Sequence, residues 1–399
     1  MRLAHLADPH LGFRQYHRLT ARGHNQREAD VALAFTRAID GVIAEKPNIV
    51  VVAGDLFHAV RPTNAAILHA VREFSRLQRM LPNVPVVVIA GNHDTPRSSD
   101  TTSIFGLLNE IGVQVADQSA RRFAFPDLDL ALLAVPHQAL FEEPRIAVEP
   151  SGRAKHQVLV IHGETPELFG ADRSMAEPGG AMLTPAELRR PWSYVALGHY
   201  HVQCDVGNDQ VGEHQWYAGA LDYCSPNPWG ELQVEAKAKR PGKGWLMFDS
   251  DTRKVKRHAI EAPRRFLDLR RLDAVDMTAV EVDRLIAASV DKVEGGIAGA
   301  VVRLVVTNVP RPVGRELDHA RIRAWKADAL HFQLDLRRPD AVDRQSVSGA
   351  PGIPETLPET LTSYLRARAL PPGMDHTRFV SRGVELLESV EREATGGDG

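Results

Sequence analysis

Ile49-Val50-Val51-Val52-Ala53-Gly54-Asp55 is the stretch that decides how the chain reads. Consecutive β-branched residues leave no polar face, so this is a strand buried on both sides, as in a parallel sheet covered by helices. A glycine then ends the run and a carboxylate follows at once. Ligand sites in such sheets lie beyond the carboxyl ends of the strands, which makes Asp55 a residue to build outward from. Similar runs occur at 2–7, 85–90, 130–135, 157–161 and 194–197. Between the first two lies a helical pattern over 26–45, with Val31, Phe35, Ile39 and Val42 on one face. The expectation from these runs is an α/β layered domain.

At 399 residues the chain exceeds one compact core. A break at 259–265, containing Pro263, ends a first domain expected at 1–263. A smaller α+β unit is expected at 264–340, with strands near 266–269, 300–306 and 331–336 and helices near 278–289 and 318–330. Residues 341–399 read as a linker (341–354) and a helical C-terminal tail, with apolar stripes Leu357, Leu361, Tyr364, Leu365 and Val380, Val384, Leu387, Val390. Residues 396–399 are expected to fray.

Hydrophobic content of 43% and charged content of 25% are those of a globular protein. Two cysteines, Cys204 and Cys224, exclude a disulfide scaffold and suit a reducing, cytoplasmic location. The first residues are apolar too briefly for a signal peptide, and no run approaches the roughly 20 apolar residues of a membrane span. A net charge of −3 does not announce a nucleic-acid binder. It does not exclude one either, because metals and a few local arginines can hold phosphates.

Five segments that follow apolar runs carry metal-ligand residue types: Asp8-Pro9-His10, Gly54-Asp55, Gly91-Asn92-His93-Asp94, His162-Gly163 and Gly198-His199-Tyr200-His201. A phosphoester hydrolase needs a nucleophile at neutral pH and relief of negative charge, and two cations about 3.5–4 Å apart supply both. Carboxylate, amide and imidazole donors suit manganese, iron or zinc. On an extended Asp-x-His or His-x-His element, alternate side chains point the same way. The glycines before Asp55, Asn92 and His199 would let the backbone turn sharply.

In order and separation this series resembles the calcineurin-like metallophosphoesterase superfamily, which implies a layered β-sandwich flanked by helices, with the unit at 264–340 as a cap domain that helps hold DNA. Asp8-Pro9-His10-Leu11-Gly12, Gly54-Asp55-Leu56-Phe57-His58 with Pro62, Tyr217-Ala218-Gly219-Ala220, Gly230-Glu231 and Lys243-Gly244 look like the SbcD-type DNA repair nucleases. The resemblance covers residues 1–250 well and the remainder by architecture only. It implies one metal on Asp8, His10, Asp55 and His201 and a second on Asp55, Asn92, His162 and His199, with Asp55 the bridge. Manganese is the expected ion. His93, left without a metal, would stabilise the transition state or protonate the leaving oxygen, and His58 would orient the substrate phosphate. Asp94 is expected to orient a histidine. DNA, an SbcC-type coiled-coil ATPase docked on the tail helices, and a second copy of the chain are the implied partners.

Arg14, Tyr16, Arg61 and Arg97 follow the ligand segments and are candidate DNA contacts, with solvated loop charge as the plainer reading. Lys237, Lys239, Arg240 and Lys243 read first as a solvated hairpin and second as a DNA contact. His137 ends another apolar run and is a possible site neighbour, whereas histidines such as His5 and His69 read as ordinary core or surface residues. Tyr200, inside Gly-His-x-His, and Ala220-Leu221-Asp222-Tyr223 depart from the family pattern. The rival readings are a phosphoesterase for a small nucleotide-type substrate and a DNA-end-binding scaffold. Both fit less well with the intact ligand set and the long segment after it.

Overall fold

The computed structural model describes residues 1–95, 103–165, 179–208, 213–339, 357–366 and 375–395. The linker expected at 341–354 and residues 396–399 lie outside them. In chain order the strands of the main body are β1 (Arg2–Leu6), β2 (Ile49–Ala53), β3 (Val86–Ile89), β4 (Gln114–Ala116), β5 (Arg121–Phe125), β6 (Leu130–Val135), β7 (His156–His162), β8 (Tyr194–Gly198), β9 (Cys204–Asp205), β10 (Gln215–Tyr217), β11 (Gly244–Asp249) and β12 (Lys254–Ala259). They form two six-stranded sheets, β12-β11-β1-β2-β3-β4 and β5-β6-β7-β8-β10-β9. β1 to β4 are parallel to one another, as are β6, β7, β8 and β10, and the antiparallel strands lie toward the edges.

The sheets face each other through Leu3, Ile49, Val51, Val87 and Ile89 on one side and Leu130, Leu132, Val158, Val160 and Ala196 on the other. Alternate residues Leu6, Val50, Val52 and Val88 turn outward onto helices α1 (Gln26–Glu45) and α2 (Asn64–Met80), where Val31, Phe35, Ile39 and Phe74 receive them. The outer side of the second sheet is closed by Leu140, Leu183, Leu188 and Trp192. Every residue of β2 is therefore buried, which accounts for its unbroken apolar run. Each buried aliphatic side chain contributes about 1.5–3 kcal/mol. The expected sandwich flanked by helices is present.

A third sheet is built from β13 (Phe266–Asp268), β14 (Leu272–Asp273), β15 (Val301–Thr307) and β16 (His331–Leu336). β15 is central and every pairing is parallel. Helix Ala279–Asp291 begins at a capping box between Thr278 and Glu281. Helix His319–Asp328 starts where the Asp318 side chain accepts from Arg321 N. This sheet is fastened to the body. Phe266 packs against Tyr223 and Trp229, with ring centroids 4.7 and 6.3 Å apart, and Arg18 donates to the carbonyls of Ala327 and Ala329.

The contacts divide the chain into two units, Met1–Arg338 and Pro339–Gly399. In the second, helices Leu357–Arg366 and His376–Thr395 pair with each other. They approach so closely that a Cβ at Gly383 would run into Leu365. Among the described residues no helix is long and apolar enough to cross a membrane. Both thiols are unpaired.

Candidate metal centre

The five ligand-bearing segments leave the carboxyl ends of β1, β2 and β3 in the first sheet and β7 and β8 in the second. Backbone bonds from Asp8 N to Gly54 O (3.1 Å) and His10 N to Asp55 O (2.9 Å) keep the first two in register. The sheets are tied across the gap by His162 Nδ1 with Ala53 O at 2.9 Å, and by His199 N donating to both oxygens of Asp8 at 3.0 and 3.1 Å.

Asp8, His10, Asp55 and His199 all have positive φ, between 47° and 103°. The side chains are thus aimed by left-handed residues and not by the alternation of an extended strand, at a cost of about 1–3 kcal/mol each. Gly54, with φ +95°, is the turn the sequence predicts. Gly91 and Gly198 answer a different need, close approach. A Cβ on Gly91 would run into the Asp55 carboxylate, and one on Gly198 into the carbonyl of Ala53.

Among the described residues three donor groups result, two of which contain a carboxylate; the third is His10, His58 and His93. Asp8, His10 and His201 bring their ligand atoms within 4.8 Å of one another, and so do Asp55, His162 and His199. His10 Nε2 and His201 Nε2 are 3.0 Å apart. In the other carboxylate-containing group Asn92 Oδ1 lies 2.9 Å from His162 Nε2 and 3.0 Å from His199 Nδ1. Asp55 Oδ2 stands between these two groups, 3.7 Å from His10 Nε2 and 3.5 Å from His162 Nε2. It is buried and has no hydrogen-bond partner, an arrangement that costs free energy unless a cation answers it.

The electrostatics make the same demand. Burial pushes the Asp8 carboxyl up to about 6, against the pull of His162 and His201. At Asp55 burial acts in that sense too, but His162 and His10 outweigh it and hold the carboxyl well below its usual range. Burial would lower His162, yet Asp55 and Asp8 raise it to about 9. Two buried carboxylates thus draw a proton onto a buried imidazole. A divalent cation among these oxygen and imidazole donors would satisfy the same demand without it, so the residues fit a metal centre.

His93 and His58 form a wall beside the first group. The rings of His10 and His93 meet edge-on at 4.8 Å, and His93 stacks on His58 at 5.0 Å. His93 N donates to Asp55 Oδ1 at 2.9 Å. With Nδ1 3.1 Å from the carbonyl of His58, that nitrogen carries a proton and the ring is held in place. Asp94 does not orient a histidine, as the sequence suggested. Its carboxylate accepts from Phe57 N (3.0 Å) and Gly91 N (2.7 Å), because two backbone donors from ligand loops reach it first. It staples those loops together.

The outlying candidates separate. Arg61 is exposed, and Arg14 is more than half exposed while its Nε donates to Glu28 at 2.8 Å. Arg97 lies outside the described residues. Tyr16 is taken up by the third sheet: its ring stacks on His331 at 4.1 Å and belongs to a cluster with Trp229, Val301 and Leu330, so it fastens that sheet to the body. Lys243 leaves the basic run altogether. It is buried between Glu231 and Glu235 and donates to the carbonyl of His201 at 2.9 Å. Tyr200 lies in the outer core against Tyr217, and His5 is a core residue on Tyr194. His137 neighbours the centre, its ring 6.3 Å from that of His162.

Sequence reasoning missed Glu164, buried against His199, and the support that Glu231 and Lys243 give His201. Glu231 and Lys243 are marked by the segments Gly230-Glu231 and Lys243-Gly244 but without that role, whereas Glu164 has no signal beyond its place two residues after His162.

A model of the calcineurin-like phosphoesterase family matches residues 1–203. The DNA double-strand break repair protein Mre11 of Methanococcus maripaludis is 38% identical over 256 residues, 62% of this chain and 63% of its own. Those of Methanocaldococcus jannaschii (36% over 255 residues, 62% of each chain) and Saccharolobus solfataricus (25% over 254 residues, 62% of this chain and 60% of its own) are similar over a comparable span. The chain thus spans roughly three fifths of the length of these curated relatives. Because the matched segment takes in half of the sequence, including every donor and the loops that aim them, the chain belongs to the family of calcineurin-like phosphoesterases.

Proposed function

We propose that the protein is a two-metal DNA nuclease that hydrolyses phosphodiester bonds in double-strand-break repair. The observation that supports this most is the oxygen of Asp55 that is buried, unbonded and poised between two imidazole groups. On this reading Asp8, His10, Asp55 and His201 hold one ion and Asp55, Asn92, His162 and His199 the other. Manganese suits the mixed oxygen and imidazole donors.

Two divalent cations, when bound, supply a nucleophile from water at neutral pH and offset the charge that builds on the phosphoryl group. The chain's own part is positional. His162 commits Nδ1 to the Ala53 carbonyl, which aims Nε2 inward. Asp8 fixes the backbone of His199 through two bonds, so a change at one donor group reaches the other. His93, oriented by the His58 carbonyl, donates a proton from Nε2 to the leaving oxygen. His58 is placed beside it to hold the substrate phosphate.

DNA is the substrate that the names of the relatives support, with Arg14, Arg61 and Arg97 as phosphate contacts. The helices Leu357–Arg366 and His376–Thr395, with Tyr364 and Leu386 exposed, are the surface for an SbcC-type ATPase. A homodimer and a cytoplasmic location complete the reading. The test is incubation of the purified chain with manganese and linear duplex DNA, alongside small nucleotide phosphodiesters. Cleavage of DNA that chelation stops is the expected result. Turnover of the small substrates with DNA left intact would replace the substrate assignment.

A further inference from the structure

One buried carboxylate behind the centre has no part in the reaction above. Glu164 follows β7 by two residues and is 1% exposed. Its Oε1 lies 3.3 Å from His199 Nε2, while the other ring nitrogen, Nδ1, lies 3.0 Å from Asn92 Oδ1 inside the second donor group. A neutral imidazole carries one proton. If Glu164 accepts it from Nε2, Nδ1 is left with its lone pair toward the ion.

The geometry is built around that contact. Glu164 N donates to the Ala181 carbonyl and Leu183 N donates to the Glu164 carbonyl, both at 2.8 Å. These bonds bring Gly180 over the pair. A Cβ there would run into Glu164 Oε1 and approach His199 Nε2 to 2.6 Å. His199 has φ 103°, so its backbone conformation is held by its surroundings. The other ligand imidazoles differ: His162 turns its outer nitrogen to a neutral carbonyl, and His201 Nδ1 is 3.9 Å from Glu231.

We propose that Glu164 is a positioning residue that fixes His199 with its proton on Nε2 and its Nδ1 lone pair toward the ion, and thereby sets the ion affinity of the second donor group. The proposal rests on the two-metal reading above. A carboxylate behind a ligand histidine typically accounts for about 10–100-fold in metal affinity.

The test is calorimetric titration of the full chain with manganese chloride, together with the spin-resonance signal of the bound manganese. Wild type should take up two ions with an exchange-coupled signal. Glu164→Ala should bind one ion as wild type does and the other about 10–100-fold more weakly, with the coupled signal lost at the same manganese concentration. Glu164→Gln, whose amide oxygen still accepts from Nε2, should recover part of the loss. Gly180→Ala, which leaves the carboxylate in place but crowds it, should reproduce the loss. Equal affinities in Glu164→Ala and wild type would overturn the proposal, as would equal weakening of both ions. No uptake by wild type would instead remove the metal-centre reading itself. Should Glu164→Ala not fold, nitrogen-15 spectra of wild type decide the point: a His199 proton on Nε2 supports the proposal and one on Nδ1 overturns it.

Discussion

Two of the clusters of buried charge among the described residues differ in how their charges are answered. In one, Arg27 pairs with Asp30 at 3.1 Å and Asp222 at 2.9 Å, while Arg264 binds both oxygens of Asp30 at 2.6 and 2.9 Å. Two cations meet two anions. Arg264 also donates to the carbonyl of Gly299, so this closed cluster joins α1 to the loop before the third sheet. In the other, Asp8 and Asp55 face imidazoles and an amide with no fixed cation among them, and Asp55 Oδ2 makes no hydrogen bond, with His10 Nε2 and His162 Nε2 at 3.7 and 3.5 Å. The first cluster balances its charges as folded, two guanidinium groups against two carboxylates, although Arg27 Nε and Asp222 Oδ2 have no hydrogen-bond partner. The second is balanced only with added positive charge, and that difference separates a fastening from a site.

The widest gap between the clusters should appear on removing one carboxylate from the open one. Asp55→Asn keeps an acceptor for His93 N but takes away the charge shared by both donor groups. Manganese-dependent phosphodiesterase activity should fall to the reagent blank. The rise in melting temperature that manganese gives wild type, worth about 2.7 kcal/mol at a hundredfold excess over Kd, should shrink in parallel. An active Asp55→Asn enzyme would show that the open cluster is not the site.

His93→Gln sharpens the same contrast by leaving the charge alone. Loss of a proton donor should lower kcat about 10²–10⁴-fold while calorimetric manganese uptake stays that of wild type. If ion binding fell together with kcat, His93 would belong among the donors.

In the closed cluster the readout is stability. Arg27 is fully buried, and Arg27→Met strands Asp222 and half of the Asp30 contacts. Breaking a buried pair from one side costs about 3–5 kcal/mol, so the denaturant midpoint should drop sharply. Manganese affinity in the protein that remains folded should be unchanged. A loss of under 1 kcal/mol would mean that Arg264 alone satisfies Asp30.

How far these clusters could be read from sequence follows from their wiring. Asp8, Asp55 and His162 stand at or just beyond the ends of apolar runs, so a local pattern marks them, and the α/β layering is legible for the same reason, whereas the sandwich is implied only by the family resemblance. The division of those runs between two sheets is not legible, because β2 and β7 look alike when both faces are buried. Short strands such as β9 and β14 carry too few residues for a period. Nor does sequence tell Lys243, which pairs with glutamates on the preceding helix, from its exposed neighbours Lys237 and Lys239. Tyr16 reads as a base-stacking residue until the fold brings His331 against it. Contacts between distant segments decided each of these.

The smallest expected effect separates the clusters by pH. In the metal-free protein His162 is raised to about 9 from an ordinary 6.5. A group whose folded value is raised contributes stability that is complete below its unfolded value and is lost as pH climbs through the folded one. With chelator present, unfolding free energy should therefore decline between pH 6.5 and 9, by an amount on the order of 1–3 kcal/mol. The closed cluster is silent there: the Asp30 carboxyl is held below its usual range by Arg264 and its neighbours despite burial, so its contribution fades only in acid. His5 and His137, lowered by burial to about 3 and about 4, also act below 6.5. Manganese reverses the trend, since its ligands must be deprotonated to bind it and affinity grows with pH. Denaturant melts at pH 6.5, 7.5 and 9 with chelator and with manganese should diverge as pH rises. Parallel curves would mean that the proton on His162 and the ion do not compete for the same buried charge.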